Sequence, residues 1–142
     1  FHPFQTYADS HVMAQLDDKA DKRRIEGAGE KNASNVYYVS GYSTKVALSE
    51  KATAFVAAYK EKYGEEPNMF AALAYDAVYM AAEAAKDAKT SKDIATNLAD
   101  LKDFEGVTGP ISIDKDHNPV KSAIMVKLDN GQEASAEAVT AE

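Results

Sequence analysis

The chain has 142 residues, enough for one domain, and its 45% hydrophobic content can support a core, which argues against wholesale disorder. With 23 acidic against 16 basic side chains the net charge is -7, which repels a polyanion and supplies no counterion-release drive, so no nucleic-acid partner is expected. The absence of cysteine excludes disulfides, thiolate nucleophiles and thiolate metal sites, and leaves the compartment open.

In chain order, Phe4-Gln5-Thr6-Tyr7 is extended in character, and Asp9 or Ser10 could cap a helix carrying Val12, Met13 and Leu16 on one face. That helix runs into the charged stretch from Asp17 to Arg24, read as a solvated face, and Gly27-Ala28-Gly29 stops it. Val36-Tyr37-Tyr38-Val39-Ser40, β-branched and aromatic between Asn35 and Gly41, reads as a short buried strand. Ser49 is a plausible N-cap for a helix with Ala52, Phe55, Val56, Tyr59 and Tyr63 on one stripe and Gly64 as its stop. Pro67-Asn68 opens a second helix, expected to be largely buried through Phe70, Leu73, Ala74, Ala77, Val78, Ala81 and Ala85. Thr90 or Ser91 caps a third helix with Ile94, Leu98 and Leu101.

After Gly106 the pattern changes to the alternation of Val107, Ile111 and Ile113, which marks a switch from helix to strand. Ala123 to Leu128 is a strand with Ile124, Val126 and Leu128 on one face, and Asp129-Asn130-Gly131 follows as a hairpin turn. The polar, alanine-rich tail from Glu133 to Glu142 is expected to be partly frayed. Three helices then have only two parallel-type strands and a small meander to pack on, less sheet than a layered α/β core needs. No apolar run approaches the roughly 20 residues of a membrane-spanning helix, and the first residues lack signal-peptide character, so a soluble chain without its own export signal is expected.

No chemistry-bearing constellation stands out. His2, His11 and His117 are far apart with no i, i+4 pair, so no metal site is expected. The stretch beginning at Asp114 starts like a calcium loop but has Pro119 and Met125 where that loop wants Gly and Glu, so a polar hairpin connection is the better reading. There is no Gly-x-Ser-x-Gly elbow and no phosphate-binding glycine loop, and neither an enzyme nor a cofactor is expected. Of the eight tyrosines, Tyr37, Tyr38 and Tyr42 cluster around one strand end and Tyr75 and Tyr79 lie in the second helix. Such rings can line a ligand cleft, though packing roles are commoner.

The segments Ala54 to Pro67 and Ala71 to Val78, then Asp103 to Ile111 and the hairpin Asp114 to Lys121, resemble type I periplasmic binding proteins of the Leu/Ile/Val group. The resemblance runs in order from about Asn32 to Gln132 and marks the chain as the C-terminal part of such a receptor. It implies an α/β fold, a partial three-layer α/β/α architecture ending in a small antiparallel hairpin. Residues 1–43 would be a strand–helix–strand remnant of the C-terminal lobe, 44–121 helices and a strand of the N-terminal lobe, and 122–142 a terminal hairpin and tail. The chain would cross between lobes near Gly41 to Thr44 and again near Lys121.

The function so implied is that of the extracytoplasmic substrate-binding component of an ABC importer, in the periplasm or as a cell-surface lipoprotein. Its ligand would be a branched-chain or related aliphatic amino acid, passed to a membrane permease. A ligand-sensing domain of a receptor or regulator with the same fold is the alternative. Phe70 resembles an aromatic that lines the side-chain pocket, with a core phenylalanine at a helix start as the other reading. Gln5 stands where the family has an acidic residue that pairs with the ligand ammonium, and a neutral amide gives no charge-assisted bond there. Tyr7 on the same extended segment and Tyr42 at the strand end complete the candidate ligand-binding set. The loops that hold the ligand carboxylate would lie outside this sequence. A chain holding pieces of two lobes is further expected to associate with copies of itself or to exchange elements with them.

Overall fold

The computed structural model describes residues 25–46 and 48–139. Residues 25–28 are helical, and a 3-10 turn follows at Glu30–Asn32. The elements then run β1 (Val36–Ser40), α1 (Glu50–Tyr63), α2 (Met69–Ala85), α3 (Ser91–Ala99), β2 (Phe104–Gly106), β3 (Gly109–Ile113), β4 (Pro119–Val120), β5 (Ala123–Asp129) and β6 (Gln132–Val139). They fall into two compact units. One holds residues 25–46 together with Ala123–Val139, and the other holds residues 48–122.

In the first unit the sheet order is β1-β5-β6, antiparallel throughout. The strand expected at 36–40 is present, but it is half-buried rather than buried and its pairing is not parallel. The chain leaves this unit after β1 and comes back as β5, so the two strands run in opposite directions, with Val36 opposite Leu128 and Ser40 opposite Ile124. The period-two pattern of β5 is realised in Ile124 and Val126, both 0% exposed. Asn130 and Gly131 take the positive φ angles, 48° and 73°, that a two-residue hairpin with the right twist requires. The turn is tied down by Gly131 N–H donating to Ala33 O at 3.0 Å and Asn130 N–H donating to Ser34 Oγ at 2.9 Å.

The tail is not frayed through Val139. It forms β6, which pairs with β5 from Gln132 to Val139 across a register shift at Lys127/Leu128. Backbone pairing, which is indifferent to side-chain hydropathy, stabilises this strand despite its weak apolar alternation.

In the second unit the three helices begin and end where their caps dictate. Ser49 accepts from Ala52 N–H, Asn68 from Ala71 N–H, and Thr90 with Asp93 forms a reciprocal capping box. Gly64 closes α1 in the left-handed conformation, at φ 76°. The Phe55 and Tyr75 rings, 4.7 Å apart, join α1 to α2, and Asn97 Nδ2 donates to Ala84 O at 2.8 Å to join α3 to α2. β2, β3 and β4 form a second antiparallel sheet in that order.

The core of this unit takes in Ala52, Phe55, Ala72, Ala84, Val107 and Ile111. The buried face of α2 therefore differs from the expected one. It runs through Ala72, Asp76 and Ala84, while Phe70 and Val78 are 56% and 66% exposed. Hydropathy assigns a carboxylate to solvent, yet here Asp76 is drawn inward by donors on the β2–β3 turn, and the helix is rotated with it. The Asp114 stretch is the polar β3–β4 connection, with Asp114 Oδ1 accepting the N–H groups of Asp116 and Asn118, each at 2.8 Å.

Candidate functional site

Two polar clusters stand out, one in each unit. In the second unit Asp76 is 2% exposed and its carboxylate accepts three hydrogen bonds: from Val107 N–H at 2.7 Å, from Thr108 N–H at 2.9 Å and from the Thr108 hydroxyl at 2.7 Å. The donors belong to a two-residue turn closed by the pairing of Gly106 with Gly109. A Cβ at Gly106 would lie 2.6 Å from Asp76 Oδ2 and 2.9 Å from Gly109 O, so glycine is what allows the carboxylate to approach.

The Thr108 hydroxyl, while donating to Asp76, accepts from the Lys121 ammonium at 2.7 Å. A lysine, a hydroxyl and a carboxylate thus form a relay. Burial holds the Lys121 ammonium below the ordinary lysine value, with the nearby Asp76 carboxylate pulling the other way. The arrangement fixes backbone, since every interaction Asp76 makes here is accepted from a turn.

In the first unit Glu133, on β6, accepts from the Tyr38 hydroxyl at 2.7 Å and, through its other oxygen, from the Ser43 hydroxyl at 2.8 Å. The Ser43 hydroxyl oxygen also accepts from Lys45 N–H at 3.1 Å, and Ser43 O accepts from Val46 N–H at 3.3 Å. Tyr42 and Ser43 are both buried. The segment after β1 is therefore fastened to the last strand of its sheet.

Of the sequence-derived candidates, Gln5 and Tyr7 lie outside the described residues. Phe70 is exposed at the start of α2 in one unit, and Tyr42 is buried after β1 in the other. Asp76, Thr108, Glu133 and Ser43 are not among those candidates. A signal for Asp76 exists in the sequence, a lone charge inside the apolar run from Ala71 to Val78, together with Gly106 and Gly109 around Val107-Thr108. Nothing local marks Glu133. Among the described residues no group of three or more His, Asp or Glu could hold a metal ion, and no helix is long and apolar enough to cross a membrane.

The family described as periplasmic binding protein matches residues 10–133. No curated protein sequence matches the chain. Among solved structures, the branched-chain amino acid transporter substrate-binding protein LivJ from Streptococcus pneumoniae, in complex with isoleucine, is 55% identical over 81% of this chain, with a TM-score of 0.72. The leucine-binding protein LivK from Thermotoga maritima is 30% identical over 83% of the chain, at a TM-score of 0.68. An ABC transporter solute-binding protein from R. palustris in complex with benzoate is 25% identical over 83%, at 0.62. The chain spans about a third of the length of each: 33% of the first two and 34% of the third.

Proposed function

The chain belongs to the periplasmic binding protein family, and we propose that it is part of the solute-binding component of an ABC importer that captures branched-chain or related aliphatic amino acids. The observation that carries this reading is the 55% identity to a transporter binding protein whose structure contains isoleucine. On this reading the two compact units are pieces of the two lobes of a receptor, and the ligand is held when the lobes close. The protein works outside the cytoplasm, in the periplasm or as a cell-surface lipoprotein, and hands its ligand to a membrane permease.

Phe70, with more than half its surface exposed at the head of α2, supplies an apolar wall for an aliphatic side chain. Tyr42 backs the segment after β1, and Gln5 and Tyr7 complete the proposed contacts. With an amide in place of a carboxylate at position 5, recognition of the ligand ammonium leans on neutral hydrogen bonds.

Calorimetric titration of the full-length protein with leucine, isoleucine, valine and benzoate tests the reading. Heat with at least one of the three aliphatic amino acids is the expected result. Silence with all three overturns the amino-acid assignment, and heat with benzoate alone replaces it with an aromatic acid.

A further inference from the structure

We infer that Asn130 is a site of spontaneous deamidation to aspartate and isoaspartate, held in check in the folded protein by Ala33 and Ser34, which cover the β5–β6 turn. The site lies wholly within the first unit and is independent of the receptor reading above. Of the asparagines in the sequence, Asn130 alone is followed by glycine. With no Cβ on that next residue, its backbone nitrogen can come close to the asparagine side-chain carbonyl carbon. Asn130 is exposed, so water reaches its amide.

The reaction consumes nothing but water. The Gly131 backbone nitrogen gives up its proton and forms a bond to Asn130 Cγ, the Cγ–Nδ2 bond breaks, and Nδ2 leaves with that proton as ammonia. Water then opens the five-membered imide. Attack at Cγ yields aspartate, and attack at the backbone carbonyl carbon yields isoaspartate, in which the main chain runs through the side-chain methylene. Overall one water is taken up and one ammonia released as an amide becomes a carboxylic acid, with no oxidant or reductant.

The fold withholds the nucleophile. Gly131 is buried and its N–H donates to Ala33 O at 3.0 Å, while Asn130 N–H donates to Ser34 Oγ at 2.9 Å and Asn130 Nδ2 to Asp129 Oδ2 at 3.3 Å. Ile25 lies so close that a Cβ at Gly131 would come within 2.5 Å of its Cγ2. With φ fixed at 48° and 73° and both backbone N–H groups engaged, the turn cyclises only when it lets go of this cover, so conversion tracks local opening. Isoaspartate then adds a main-chain atom inside the two-residue turn between the paired Asp129 and Gln132, and either product sets a new carboxylate beside Asp129. The hairpin end cannot close again as before, and position 130 records how often it has opened.

The test ages the full-length protein at mildly alkaline pH, folded and in urea, and reads conversion at each asparagine by peptide mass spectrometry with fragmentation that distinguishes isoaspartate. In urea, Asn130 should convert ahead of every other asparagine, and in the folded protein it should convert at least about tenfold more slowly than in urea. Ser34→Ala removes one hydrogen bond from the cover, and should speed conversion in the folded protein about fivefold, the factor that one net hydrogen bond carries, while leaving the rate in urea unchanged. Ser34→Thr, which keeps the hydroxyl, should stay at the parent rate. Faster conversion of another asparagine in urea overturns the site. Equal rates in the folded protein and in urea overturn the protection, as does a parent rate in folded Ser34→Ala. Should Ser34→Ala fail to fold, the ratio of folded to urea rates in the parent still decides.

Discussion

Asp76 is a carboxylate removed from water and compensated by three donors from a single turn. Truncation to alanine strands two buried N–H groups and a hydroxyl, and is expected to cost about 3 kcal/mol in urea unfolding, with Asp76→Asn less severe at about 2 kcal/mol. Gly106→Ala forces a Cβ against a carboxylate that cannot retreat, and should destabilise by about 2 kcal/mol in the same measurement. Lys121 carries a pH consequence of known sign. Its folded-state pKa lies below the ordinary value of about 10.4, so in the window between the two the unfolded chain binds the extra proton. Stability should therefore rise as pH increases through that window, and Lys121→Met should flatten this part of the profile. At this scale the sequence was only half readable. The lone acid in an apolar helix was visible, but its donors lie on a turn some thirty residues downstream, a pairing that spacing does not encode.

The best-read elements were the helices, because caps are local chemistry. Thr90→Ala should loosen α3 by about 1 kcal/mol, seen as faster amide exchange over residues 91–99. The Asp93 carboxylate is held below the ordinary carboxylate range, first by the Lys89 N–H and then by the Thr90 hydroxyl and N–H. Its stabilising effect is present above about pH 3.9 and is lost as pH falls through the lowered folded-state value, so the same amides should lose protection in acid. Gly131→Ala should weaken the β5–β6 hairpin, since the added Cβ lies at positive φ and 2.5 Å from Ile25 Cγ2. The face of α2 and the length of β6, which runs to Val139, were misread for one reason. Hydropathy periodicity reports on solvent transfer, and both features are governed by hydrogen bonding, to Asp76 in one case and along a backbone ladder in the other.

For the molecule as a whole, the strands of the first unit were legible one at a time, but their pairing was not, since periodicity says which face is buried and nothing about the neighbour. The family resemblance supplied the fold, and the chain spans about a third of the length of the solved relatives. Two whole-chain predictions follow from the exposed Phe70, Val78 and Tyr79 on α2 and from the one-third coverage of the relatives. Isolated residues 1–142 should associate with copies through these exposed apolar side chains, and a monodisperse monomer by light scattering at high concentration would refute this. The same chain should bind leucine, isoleucine and valine far more weakly than the full-length protein does, a difference that calorimetry reads directly. The separation of β1 from β5 by residues 41–122 also has a consequence for biosynthesis. At about 5–20 residues per second, a ribosome delivers β5 several seconds after β1. Throughout that interval the segment Val-Tyr-Tyr-Val has no β5 to lie against. The first unit cannot mature before β5 emerges, and its sheet forms only after residues 41–122 have been made.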